Sequence, residues 1–92
     1  MRYIFLGTIA PEWIGRHTER LQSCKAKADE LGMSFEAIHY TQGLYDFIDV
    51  AEASDTYVVL GFSIWYATQG YGRITTMPAF DEAAMEKAVQ VI

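Results

Sequence analysis

Apolar positions along the chain change period several times, and each change marks an element. Tyr3 to Leu6 is a short apolar run ended by Gly7, which predicts a buried first strand. Pro11 suits the first turn of a helix, where its missing N–H costs nothing, and Glu12 complements the helix dipole. From there Ile14, His17, Leu21, Cys24, Ala28 and Leu31 recur at spacings of three and four. They predict one inward stripe, with Arg16, Glu19, Arg20, Lys25, Lys27 and Glu30 off it and Gly32 as terminator. Met33 to Tyr40 switches to alternation: Phe35, Ala37 and His39 on one face, Glu36, Ile38 and Tyr40 on the other. Thr41-Gln42-Gly43 turns the chain. Leu44 to Glu52 then alternates again, with Tyr45, Phe47, Asp49 and Ala51 opposite Asp46, Ile48 and Val50, which completes an antiparallel hairpin.

A second helix is predicted from roughly Asp55 to Gln69, with Ser54 placed to cap it and Asp55 complementing its dipole. It carries no charge after Asp55 and has almost no polar face, so it reads as a buried helix. Gly70 and Gly72 end it, and Arg73 to Met77 follows as the fourth strand. Asp81 caps a last helix, where Phe80 and Met85 are spaced for a hydrophobic staple and Ala84, Ala88 and Val91 make a modest stripe.

Strand, helix, strand, strand, helix, strand is the split β-α-β repeat of the ferredoxin-like topology, an α+β fold with a four-stranded antiparallel sheet, here plus a C-terminal helix. One such domain is expected over residues 1–92. Neither alternating set on the middle strands is purely polar. The sheet face away from the helices therefore needs a cover, and the same face of a second copy is the economical one. Composition points the same way: 51% of the residues are hydrophobic and 14% aromatic, much for a chain of 92 residues to hide alone. The formal net charge of −5, without a basic run, argues against nucleic-acid and anionic-membrane partners. No apolar run approaches the roughly 20 residues of a membrane span, and the first residues lack the pattern of a signal peptide, so a cytoplasmic location is expected. Cys24 is the single cysteine, which excludes an internal disulfide.

The run Tyr40-Thr41-Gln42-Gly43, Tyr45-Asp46, Glu52-Ala53 with Asp55, and the stretch Gly72-Arg73 to Ala79-Phe80 resemble the GYD domain family, within the dimeric α/β-barrel superfamily. The resemblance spans nearly the whole length and implies a small cytoplasmic homo-oligomer, a homodimer or a higher even-numbered assembly. It implies no agreed activity. Two features stand apart from the family pattern: the aromatic second helix, and the rigid, hydrophobic Ala10-Pro11-Glu12-Trp13.

No motif in the chain specifies a chemistry. Two histidines and one cysteine on separate elements give no metal-ligand spacing, and nothing calls for a cofactor. His17 and Cys24 are seven residues apart on one helical face, about 10.5 Å along the axis, too far for a nucleophile–base pair. Asp46 has two readings: a carboxylate accepting backbone N–H groups at the turn, or a base and ligand anchor at a sheet end. Arg73 is either a surface partner for an acidic neighbour or an anchor for a substrate carboxylate. With the fourth strand taken as the neighbour of the second, His39 and Arg73 are expected to meet, so His39, Asp46 and Arg73 are the catalytic candidates. His17, Tyr40, Tyr45 and Trp65 are candidates for lining an aromatic pocket around a planar organic ligand, a list that equally describes an aromatic core. Three functions compete: a ligand-binding oligomer, a structural subunit, and a cofactor-independent enzyme acting on an aromatic or polyketide-like molecule by oxygenation, cyclisation or decarboxylation.

Overall fold

The alternating segments form one antiparallel sheet. In the computed structural model, which covers residues 1–92, the elements run β1 (Arg2–Gly7), α1 (Pro11–Ile14), α2 (His17–Leu31), β2 (Ser34–Tyr40), β3 (Phe47–Glu52), α3 (Thr56–Thr68), β4 (Ile74–Pro78) and α4 (Glu82–Gln90). The sheet order is β2-β3-β1-β4, with every neighbouring pair antiparallel. This is the α+β ferredoxin-like arrangement. It also corrects one expectation: β4 lies beside β1, not β2, so β2 and β4 are opposite edges of the sheet.

Tyr3, Phe5, Phe47 and Ala51 are buried beneath the helices. Phe5 stacks on Phe62 of α3 at 5.9 Å, and Phe35 of β2 meets both rings edge-on at 6.2 and 5.8 Å. Aromatic contacts of this kind contribute roughly 0.5–1.5 kcal/mol each beyond burial. Gly72 holds the α3–β4 loop against the first loop: its φ is 147°, and a Cβ there would stand 2.0 Å from the Thr8 carbonyl oxygen. Asp55, rather than Ser54, caps α3 by accepting from the Val58 N–H at 3.1 Å. Asp81 caps α4 in the same way through Ala84 at 2.8 Å.

Two local irregularities change which side chains face the helices. The first helix is interrupted at Gly15–Arg16, and α2 restarts at His17. Its buried positions are then Arg20, Cys24 and Ala28, while Ile14 is 62% exposed and His17 lies in solvent. The second is a bulge in β2 between Phe35 and Ala37. Beyond it Ile38 pairs with Asp49 and Tyr40 with Phe47, so Ile38 and Tyr40 join Phe35 on the helix side, and Ala37 and His39 turn to the other face.

That other face has no helix over it. Its centre is apolar, with Ile4 paired to Val50 and Leu6 to Ile48, and Met77 opposite Ile4 on β4. Arg2 and Glu36 form an ion pair at its rim. The helix α4 packs against no other element. Phe80, Met85 and Val89 are all more than half exposed, so the expected staple buries neither of its residues within the chain.

Candidate functional site

The sheet and the two long helices enclose a polar pair inside an aromatic shell. Asp49 sits on β3 between the inward-facing Phe47 and Ala51, and the ladders fix it opposite Phe5 on one side and Ile38 on the other. Arg20 hangs from α2 one turn before Cys24. Both charged residues are buried, at 3% and 7% exposure, and they share a cavity with Leu21, Tyr40, Phe62 and Tyr66.

Neither charge has an ion-pair partner, and the polar groups beside the Arg20 guanidinium are the Cys24 thiol and the Tyr66 hydroxyl. None of the four ion pairs of the protein involves Arg20 or Asp49. Arg20 Nε and Nη2 and Asp49 Oδ1 are buried without a hydrogen-bond partner. The guanidinium centre lies 5.7 Å from the Phe47 ring, within cation–π range, which offsets part of its desolvation. Buried polar atoms are otherwise satisfied almost without exception in folded proteins, and an uncompensated buried charge costs several kcal/mol.

Burial sets the titration of the neighbours. It pushes the Asp49 carboxyl up to about 7, with Arg20 only partly opposing the rise. The Cys24 thiol is pushed up to about 11 by burial, again with partial opposition from Arg20, so it stays protonated near neutrality and is a poor nucleophile. The Tyr66 phenol is also raised by burial, and its hydroxyl donates to the Thr8 carbonyl at 3.1 Å. The cluster thus combines a fixed cation, a carboxyl that changes charge near neutral pH, and aromatic walls. An arginine presents donors to an anion, and a carboxyl of this kind accepts or releases a proton under ordinary conditions.

The residues singled out from sequence are dispersed. His39 lies exposed on the face away from the helices, paired with Ile48 on the β2 edge. Arg73 precedes β4 on the opposite edge, so the two do not meet. The backbone of Arg73 is tied to Thr8, and its exposed side chain borders a surface groove with Leu60, Ile64 and Thr68. Asp46 is engaged structurally: its Oδ2 accepts from the Ile9 N–H at 2.7 Å, and its own N–H donates to the Gly7 carbonyl at 2.7 Å. Tyr45 is half-buried, and its carbonyl accepts from the Thr41 hydroxyl. Trp65 packs against Phe62 and Tyr71 at 5.5 and 5.8 Å. Only His17 and Tyr40 are brought together, edge to face at 5.1 Å, and Tyr40 also lines the cavity. No three His, Cys, Asp or Glu residues cluster to hold a metal ion. No helix is long and apolar enough to cross a membrane.

The sequence stripe passed over Arg20 because it set the charged residues of the helix off the apolar face. Counted from His17, Arg20 falls in phase with Cys24 and Ala28. Asp49 carried a plainer signal, an acid between two apolar residues of the inward set.

A model of the GYD domain matches residues 3–89. A search of curated proteins finds no relative by sequence. Among solved structures, the chain is similar to a 5-chloro-2-hydroxyhydroquinone dehydrochlorinase from Burkholderia phenoliruptrix, in complex with 2,5-dihydroxybenzoquinone. The TM-score is 0.63 at 11% identity, covering 91% of this chain and 98% of that one. At that identity the likeness is one of fold.

Proposed function

The chain belongs to the GYD domain family, and on that footing we propose that it works as a homodimer that takes a small planar organic molecule into the cavity between α2, α3 and the sheet. The observation that carries this reading is the unpaired Arg20–Asp49 pair inside aromatic walls. Such a site offers both orienting polar groups and flat apolar surfaces. The dehydrochlorinase complex supports it by analogy, as a protein of the same fold holding a flat oxygenated ring. Self-association is supported by the apolar centre of the uncovered sheet face and by α4, whose exposed Met85 and Val89 find no cover within the chain. A cytoplasmic setting fits a chain whose single cysteine is unpaired.

Native mass spectrometry of protein purified from its own host tests both halves. A dimer or higher even-numbered oligomer carrying a stoichiometric extra mass is the expected result. A monomer with bare polypeptide mass, unchanged across added small aromatic compounds, overturns the reading.

One observation favours a second reading, the cofactor-independent enzyme. A carboxyl displaced to about 7 is poised to give and take a proton near neutral pH, which makes Asp49, rather than His39 or Asp46, the acid–base candidate. Turnover of an aromatic or polyketide-like substrate that is lost in Asp49→Asn, with substrate binding retained, would establish it. Equal turnover in Asp49→Asn would remove it.

A further inference from the structure

Each of the ion-paired arginines of this protein grips its partner by one edge. Arg2 donates from Nε and Nη2 to the two oxygens of Glu36, each at 3.0 Å. Arg16 uses the same two nitrogens on Glu19, at 3.1 Å from Nε and 2.9 and 2.8 Å from Nη2. On Arg20 that edge is the one left without an acceptor, and it is buried. The two N–H groups are parallel and coplanar, the geometry that matches the two oxygens of a carboxylate. A guanidinium does not lose its proton in proteins, so the site cannot be relieved by neutralising Arg20. Asp49 does not supply the missing acceptor, since it forms no ion pair and its own Oδ1 is also unpartnered.

Resting on the ligand-cavity reading above, we infer that the ligand is a small flat monocarboxylic acid, its carboxylate seated on the Nε/Nη2 edge of Arg20 and its apolar body among Phe35, Phe47, Phe62 and Tyr66. Asp49 Oδ1 is left to bond a hydroxyl on that body. The walls select against a phosphate or sulfate, because every lining residue other than Arg20 and Asp49 is apolar or aromatic. Size limits the acid to one ring or a short chain. The side chains of the cavity leave room for about one water molecule, ≈10 Å³, and the space beyond opens to solvent. Entry therefore needs a wall to move. Tyr40 is that wall: at 47% it is the exposed residue of the lining, and its ring meets the solvent-exposed His17 edge to face.

The test uses the full chain and three probes of similar shape: benzoate, benzamide and phenol. Titration calorimetry on the wild type should show benzoate binding at least tenfold more tightly than either neutral probe. Arg20→Met removes the charge while keeping an apolar stem, and without the opposing cation burial holds the Asp49 carboxyl in its neutral form, so no lone charge is left behind. It should fold and lose at least tenfold in benzoate affinity while phenol is unchanged. Should Arg20→Met fail to fold, Arg20→Lys keeps the charge but not the fork, and it should narrow the benzoate preference. Phenol or benzamide binding as well as benzoate overturns the carboxylate assignment and leaves the cavity reading standing. No binding by any of the three overturns both.

Discussion

Raising the pH through neutrality should destabilise this protein through one residue. Asp49 ordinarily titrates near 3.8 and is held by burial at about 7 in the folded chain. Between those values the folded protein keeps a proton that the unfolded chain has released. Stability is therefore full below about 3.8 and is lost as the pH climbs through 7. At about 1.36 kcal/mol per pH unit the whole displacement corresponds to about 4 kcal/mol, of which about 3 kcal/mol falls between pH 5 and pH 8. The groups that face Asp49 are Arg20 and Cys24 from α2, Tyr66 from α3 and Tyr40 from β2. Arg20 stays charged throughout, and the Cys24 thiol, pushed up to about 11, titrates above this window, as does the raised Tyr66 phenol. Urea unfolding at fixed protein concentration, from pH 5 to pH 8, should show the wild type losing a few kcal/mol that Asp49→Asn does not lose. The variant should be the more stable protein at pH 8. Parallel stability profiles for the two proteins would refute the assignment, because the slope would then belong to other groups.

Three further changes probe the frame around the site. Val50→Glu places a charge at the centre of the uncovered sheet face, between Ile4 and Ala37, and should convert the proposed dimer to monomer by light scattering while the far-ultraviolet spectrum is retained. Gly43→Val should lower stability by more than about 1 kcal/mol in thermal unfolding, since Gly43 has a φ of 126° and the cost is conformational: a Cβ there meets nothing within 4 Å. Asp46→Ala should cost about 1–3 kcal/mol by leaving the half-buried Ile9 N–H without its acceptor, and Asp46→Asn, which keeps an oxygen there, should cost less in the same assay.

The elements themselves were legible because their signals are local. Gly32 at the end of α2 has a left-handed φ of 75°, and Asp81 caps α4 as its position implied. The antiparallel hairpin of β2 and β3 followed from two alternating runs around a turn. What escaped was phase. A bulge at Glu36 inserts one residue into β2, and every side chain beyond it changes face. The sequence gives no warning, because apolar residues line both faces of that strand. The break at Gly15–Arg16 leaves Ile14 and His17 exposed at the start of α2, while Arg20, four residues before Cys24, is in phase with the buried stripe.

The bulge also separates the site from the core around it. Strict alternation would have put Tyr40 and Ile38 on the open face and left Asp49 beneath a sparser wall. The bulge returns both to the helix side, where Tyr40 closes the cavity over the Arg20–Asp49 pair. A purely apolar shell of this size would gain stability from Met and Leu in place of Arg20 and Asp49. Keeping a cation and a carboxyl there, without an ion pair between them, costs stability. On the proposed reading a ligand supplies the acceptor Arg20 lacks and offsets that cost, which links stability to occupancy. Benzoate should therefore raise the unfolding midpoint of the wild type and leave that of Arg20→Met unchanged. Equal shifts in the two proteins would show that binding draws nothing from the buried cation.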